Sequence, residues 1–262
     1  MYPHNPDDTP RIYNRAFLLS PAKRNTVMEL WEIQRYGLDS YSEPDYVCIY
    51  GMPPTAWYRS GIRLLARTTV ECTRDAFGAL IGTDVERVLR GAPNTAQVVV
   101  IDPFAGSCNS LYWILRHVRG AKGIAFEVDD AIFDMTKQNI ATLDQPIELL
   151  HGDYRAHLHA YRFPVDQLLV IFVAPPWGDA LNELTGLDLR RTLPPVSKVV
   201  DYVDGLYSSN PILYVTQVHQ QVETASLADL ERRFDWSERR IYDINVEGMK
   251  QGVLLGTIRW KP

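Results

Sequence analysis

Cysteine is scarce in this 262-residue chain, with three in all: Cys48, Cys72 and Cys108. An odd number without metal-type spacing argues against a disulfide framework, and the plain expectation is a reducing, cytoplasmic setting. Long apolar runs are missing as well. The longest, such as Leu168–Val173, are strand-sized and far short of a membrane span, so no membrane partner is expected. The start, Met1-Tyr2-Pro3-His4-Asn5, has neither the charged region nor the apolar stretch of a secretion signal. A basic surplus is also absent: 27 Lys and Arg stand against 32 Asp and Glu, for a net charge of −5. The cations are scattered (Lys23-Arg24, Arg190-Arg191, Arg232-Arg233, Arg239-Arg240). A protein gripping a long nucleic acid gains affinity from each phosphate it neutralises, so this balance disfavours RNA without excluding it. His151, His157 and His159 surround Asp153, but no cysteine or further acid completes a ligand set, and no metal is expected. Repeats and low-complexity segments are absent.

What is present is a regular alternation. Apolar runs of strand length at 98–101, 123–128, 147–150, 168–174 and 211–216 are separated by helical patterns at 109–119, 130–143 and 196–206, with a further helix at 226–233. That alternation predicts an α/β fold with a doubly wound, Rossmann-like parallel sheet. The last two runs, 239–246 and 252–260, are joined by only Glu247–Gln251. A parallel crossover needs far more chain, so these are expected to form an antiparallel hairpin. Five parallel strands closed by such a hairpin make a seven-stranded sheet. Residues 1–95 read as a helical N-terminal region, an arm plus a lid over the site, with helices over 21–37 and 57–81. The sheet domain then occupies 96–262.

The candidate site residues lie where strands end. Val98–Ile101 runs into Asp102-Pro-Phe104-Ala105-Gly106-Ser-Cys108-Asn109 and then directly into a helix. Gly106 permits close backbone approach, and the amides of such a turn favour an anionic carboxylate. Asp102 is placed to accept from an ammonium. Glu127 closes the next strand, where a carboxylate can take both hydroxyls of a ribose. The cap of the following helix is left to Asp129 or Asp130. Asp153 and Tyr154 end the third strand, placed to accept from an adenine amino group and to pack on its ring; a plain surface turn is the other reading. Ala174-Pro175-Pro176-Trp177 ends the fourth. Two consecutive prolines deny that turn a helix and leave carbonyls without ladder partners. Those carbonyls can hold a substrate NH2 while the aromatic stacks on a planar ring. His117 and His219 read as packed or surface histidines, and Trp57 and Trp113 as core, with Trp57 a possible lining of a lid.

These residues together resemble the class I S-adenosylmethionine-dependent methyltransferases, and among them most the trimethylguanosine synthase family, which methylates the guanine N2 of RNA caps. The likeness spans roughly residues 60–262. It rests on Asp102-x-Phe104-x-Gly106 with Asn109, on Glu127-Val128-Asp129, on Gly152-Asp153-Tyr154, on Pro175-Pro176-Trp177-Gly178 and on Thr185–Arg190. Thr69-Val70-Glu71, taken as a helix start, matches the family's N-terminal subdomain loosely. The resemblance implies S-adenosylmethionine as cofactor, held by Asp102, Phe104, Ala105, Gly106, Cys108, Asn109, Glu127, Val128, Asp153 and Tyr154. It implies an acceptor amine held at Ala174, Pro175, Pro176 and Trp177. The chain departs from the family in two places: Ala174 offers no side-chain acceptor, and Cys108 stands where glycine is usual and would narrow the cofactor turn. With the missing basic surface, these departures favour a small planar amine or amidine as substrate. The alternatives are an RNA guanine-N2 methyltransferase and a catalytically silent partner subunit with the same fold.

Overall fold

The structure is a computed structural model and describes residues 12–93, 97–182, 184–243 and 250–262. The N-terminal region carries helices α1 (Arg15–Leu18), α2 (Leu30–Tyr41), α3 (Pro54–Arg59), α4 (Ala66–Glu71) and α5 (Asp75–Leu89). The sheet domain continues with β1 (Val98–Asp102), α6 (Asn109–His117), β2 (Lys122–Glu127), α7 (Asp130–Ile140), β3 (Ile147–His151), α8 (Tyr154–His157) and β4 (Leu168–Val173). A two-residue ladder, β5 (Leu181–Asn182) with β6 (Gly186–Leu187), precedes α9 (Val196–Leu206), β7 (Ile212–His219), α10 (Thr224–Glu231), β8 (Trp236–Tyr242) and β9 (Gln251–Ile258).

Seven strands form one sheet in the order β3-β2-β1-β4-β7-β9-β8. The first five are parallel; β9 runs antiparallel to both β7 and β8. The expected hairpin is therefore present, and its connection at 244–249 lies outside the described residues. The central strand β4, Leu-Leu-Val-Ile-Phe-Val, is buried at every position, which is why it reads as an unbroken apolar run instead of an alternating one. The outer strand β8 exposes Arg239 and Arg240, charges that discourage a further strand from adding to the edge.

The sheet has an apolar layer on each face. On one face Val100, Val170, Leu213 and Leu255 pack with Leu111, Ile114 and Leu115 of α6 and with Phe77, Ile81, Val85 and Val88 of α5. Thus α5, which the sequence assigned to the N-terminal region, belongs to the core of the sheet domain. Two glycines bring α5 onto α6: a Cβ on Gly78 would lie 2.6 Å from the Trp113 ring, and one on Gly82 would lie 2.8 Å from the Trp113 carbonyl. On the other face Ile101, Ile171, Val173 and Tyr214 pack with Val196, Val199 and Val203 of α9.

A third core belongs to the N-terminal region and holds Leu18, Met28, Ile33, Trp57 and Ile62. Trp57 is fully buried and donates Nε1–H to the Val47 carbonyl at 2.9 Å, so it lines no lid. The single helix expected over 57–81 is three helices. Gly61, at φ +94°, ends α3, and Cys72, in an extended conformation, ends α4. Thr69-Val70-Glu71 consequently closes a helix instead of starting one. The helix expected over 21–37 begins only at Leu30, behind a capping box in which Glu29 N–H donates to Glu32 Oε2 at 2.9 Å. No helix among the described residues is long and apolar enough to cross a membrane.

Candidate active site

The carboxyl ends of β1, β2, β3 and β4 meet along one edge of the sheet, and the turn after β1 is the centre of that edge. Asp102 Oδ1 accepts from Phe104 N–H at 2.9 Å, and Ala105 N–H donates across to the Phe126 carbonyl of β2 at 2.9 Å. Gly106 sits at φ +50°, and a Cβ there would meet nothing within 4 Å: the turn opens onto free space at this residue. Its amide donates to Glu127 Oε2 at 2.9 Å, and its carbonyl accepts from Thr136 Oγ1 of α7 at 2.6 Å. The other oxygen of Glu127 accepts from Asp129 N–H at 2.9 Å. One carboxylate therefore ties the turn after β1 to the turn after β2. Asp129 is the cap of α7, accepting from Ala131 and Ile132 N–H, both at 3.1 Å.

The turn amides are less available than the sequence suggested. That of Gly106 is spent on Glu127, and that of Cys108 donates to the Ala105 carbonyl at 2.7 Å. Ser107 N–H has no partner among the described residues.

Asp102 and Glu127 are both buried, and neither forms an ion pair among the described residues. Burial pushes the Asp102 carboxyl up to about 7, against the bond from Phe104 N–H and with a further upward push from Glu127. Burial raises Glu127 as well, opposed by the amides of Asp129 and Gly106. Two acids without a countercharge beside an opening make a site that favours a cation.

Two expected cofactor residues turn away from this opening. Asn109 directs its side-chain amide into the N-terminal region: Oδ1 accepts from Tyr50 N–H at 2.8 Å, and Nδ2 donates to the Thr73 carbonyl at 2.7 Å and to Asp75 Oδ1 at 3.1 Å. Cys108 adopts φ +57°, which places its buried sulfur in the core with Val100 and Leu111, not in the turn. Burial also raises the Cys108 thiol well above its ordinary range. Asn139 of α7 makes a second clasp, accepting from Arg63 N–H at 2.9 Å and donating to the Arg63 carbonyl at 2.7 Å. Arg67 of α4 adds an ion pair to Asp129. Sequence reasoning missed Thr136, Asn139 and Arg67; buried polar residues on otherwise apolar helix faces were the available signal.

At the end of β3, Gly152 N–H donates to the Glu127 carbonyl at 2.8 Å. Asp153 caps α8 through Arg155 N–H at 2.8 Å, and its carboxylate lies against the Arg155 guanidinium, which holds it below the usual range. Tyr154 is buried, edge-on to Phe104 and Tyr202 with centroids 5.6 and 5.7 Å away. Val128, by contrast, is 71% exposed immediately after Glu127. The three histidines noted near Asp153 do not converge: His151 pairs with Asp130 at 2.8 Å, and His157 stacks on Phe126. No group of three or more metal-ligating side chains occurs among the described residues.

The turn after β4 stands beside this edge. Pro176 is exposed, Trp177 half-buried, and Gly178, at φ +48°, faces open space. The Pro176 carbonyl accepts from Leu193 N–H at 3.3 Å, whereas those of Ala174 and Pro175 have no partner among the described residues. The Trp177 ring lies 6.3 Å from that of His219, at 83°.

No family model matches the sequence, and no curated protein does. Solved structures match by shape. The human methyltransferase 10 domain containing protein superposes with a TM-score of 0.50 at 16% identity, over 71% of this chain and 84% of that one. The fold is that of the class I methyltransferases. Weaker likenesses include the N-terminal domain of human METTL16 in complex with SAH (TM-score 0.44, 15% identity, 67% of this chain and 66% of that one). Another is an rRNA methylase from Streptococcus thermophilus (TM-score 0.41, 12% identity, 72% and 99%).

The chain's residues fit S-adenosylmethionine at the edge just described. That molecule carries an ammonium and a ribose diol, and the edge holds two buried acids that pair with no cation among the described residues and can take one each. The glycine between them leaves room where a side chain would intrude.

Proposed function

We propose that this protein is an S-adenosylmethionine-dependent methyltransferase acting on an amino or amidine nitrogen of a small planar metabolite. The observation that carries the reading is the pair Asp102 and Glu127, both buried and without a cationic partner among the described residues, with Glu127 bonded to the amide of Gly106, whose open face has free space. Asp102 would hold the cofactor's ammonium and Glu127 its ribose hydroxyls, using lone pairs left over from the two amides it already binds. Exposed Val128 offers apolar surface to the base. When bound, the cofactor supplies an electrophilic methyl whose transfer leaves a neutral thioether, so no acid is needed for the leaving group.

The acceptor side needs only positioning and exclusion of water. The unpartnered carbonyls of Ala174 and Pro175 take N–H bonds from the acceptor amine and turn its lone pair toward the methyl. Trp177 stacks on the acceptor's planar ring. With Ala174 in the first position of the motif, backbone carbonyls alone hold the amine. The nitrogen gains the methyl and releases a proton to solvent. The net negative charge favours a small acceptor over RNA, and the resemblance to cap guanine-N2 methyltransferases supports an aromatic amine.

Calorimetric titration with S-adenosylmethionine and S-adenosylhomocysteine tests the reading. Micromolar binding, lost in Glu127→Ala and kept in Trp177→Ala, is expected. Absence of binding to the wild-type protein overturns it and favours the silent-subunit alternative. Tight, salt-sensitive RNA binding would move the acceptor from metabolite to RNA.

A further inference from the structure

Beside Trp177 of the proposed acceptor site stands His219. It ends β7, the strand next to β4, and its ring is roughly perpendicular to Trp177, 6.3 Å between centroids. The neighbouring hydrogen bonds favour one tautomer. Gln221 N–H lies 3.2 Å from Nδ1 and has no other acceptor among the described residues. The Gln221 carbonyl is also 3.3 Å from Nδ1, at a longer distance than the 2.9 Å bond it accepts from Leu187 N–H. The Gln221 N–H donating to Nδ1 favours a lone pair on that nitrogen, because a backbone N–H can only donate. The ring proton of neutral His219 is then on Nε2, which has no partner among the described residues.

In this tautomer the ring offers a donor at Nε2. A histidine whose Nε2 carries the proton cannot take one there, so in this tautomer Nε2 is a donor and not a base. It can, however, read a lone pair. The carbonyls of Ala174 and Pro175 take hydrogen atoms from the acceptor, and His219 gives one to it. The complementary ligand edge is a donor amine next to an acceptor atom.

We propose that His219 is a specificity-determining residue of the acceptor site, its Nε2–H donating to a ring nitrogen adjacent to the carbon that bears the methylated amine. This rests on the N-methyltransferase reading given above. An amino-substituted aza-heterocycle is then preferred over an aniline of the same shape, because the aniline offers Nε2–H no acceptor.

The test is nitrogen-detected histidine NMR on the full chain saturated with S-adenosylhomocysteine, in mildly alkaline buffer, with 2-aminopyridine and aniline as probes. The expected result is the Nε2–H tautomer at His219, about tenfold tighter binding of 2-aminopyridine than of aniline, and a shift of the Nε2 resonance with the former alone. His219→Phe should abolish the preference and His219→Asn, which keeps a donor, should restore part of it. Both should bind S-adenosylhomocysteine as the wild type does. An Nδ1–H tautomer, equal binding of the two probes or binding of neither overturns the proposal. Retained S-adenosylhomocysteine binding in those cases leaves the methyltransferase reading standing, whereas its loss in the wild-type protein would sink that reading separately.

Discussion

Glu127 accepts the amide of Gly106 at 2.9 Å across the boundary between two strand-ending turns, while its second oxygen accepts the amide of Asp129 at 2.9 Å. The residue proposed to bind ribose is thus also the brace that ties together the two turns where the cofactor would lie.

Glu127→Ala should therefore act twice. Loss of hydrogen bonds to a charged group should weaken S-adenosylmethionine binding by about 1.5–3 kcal/mol, and two amides left without their acceptor should lower folding stability by about 1–3 kcal/mol each where they stay dry. Glu127→Gln retains one acceptor oxygen and should lie between. Calorimetry and denaturant unfolding on the same samples check both effects; unchanged affinity would remove Glu127 from the cofactor site.

Asp102 makes stability and binding respond to pH with opposite signs. Its carboxyl titrates at about 7 in the folded protein, against an ordinary value of 3.8. Between those values the folded state holds more protons than the unfolded one, so stability falls as pH rises through that window and levels off above it. The cofactor's ammonium requires the ionised form, so affinity should rise with pH up to about 7 and then plateau. Asp102→Asn should flatten the stability curve and raise the melting temperature at neutral pH, yet weaken binding. Melting curves and titrations across the pH range check this; parallel pH trends would refute it.

The Asn109 clasp should be measurable without any ligand. Asn109→Ala removes the partner of the buried Tyr50 amide and of the Thr73 carbonyl. A loss of about 2–4 kcal/mol is expected from unfolding curves, with earlier proteolytic cleavage in the N-terminal region. The loss of cofactor affinity should be smaller than in Glu127→Ala, because the Asn109 amide faces away from the opening.

Cys108→Gly should leave cofactor affinity unchanged, since the sulfur lies in the core. Its effect on stability should stay within about 1 kcal/mol, because relief of the left-handed conformation opposes the lost sulfur contacts and the looser unfolded chain. The native thiol should resist alkylation and react only on unfolding. Tighter binding in the glycine variant would mean that the sulfur does obstruct the turn.

The strand ends were legible in the sequence because each is a local pattern: an apolar run, an acid or a proline pair, then a change of period. Asp102, Glu127 and the Pro175-Pro176-Trp177 turn were found that way, and the short 247–251 connection sufficed to make the last strands antiparallel. Asn109, Cys108 and Asp153 were placed at the right edge, but the direction of their side chains was not legible. For Cys108 the direction depends on the sign of φ, for Asn109 on a segment near Tyr50, and for Asp153 on Arg155 two positions on.

By itself, then, the sequence determined the alternation of strands and helices and the chemistry at the strand termini, since both follow from periodicity and residue type within a few positions. Tertiary structure alone decided that α5 joins the sheet core through Gly78 and Gly82. It decided that two asparagines clasp the N-terminal region to the sheet domain, and that Asp102 and Glu127 lie buried without a cationic partner among the described residues. Those outcomes depend on close approach of distant segments, and desolvation of a carboxylate exists only once the chain around it has packed.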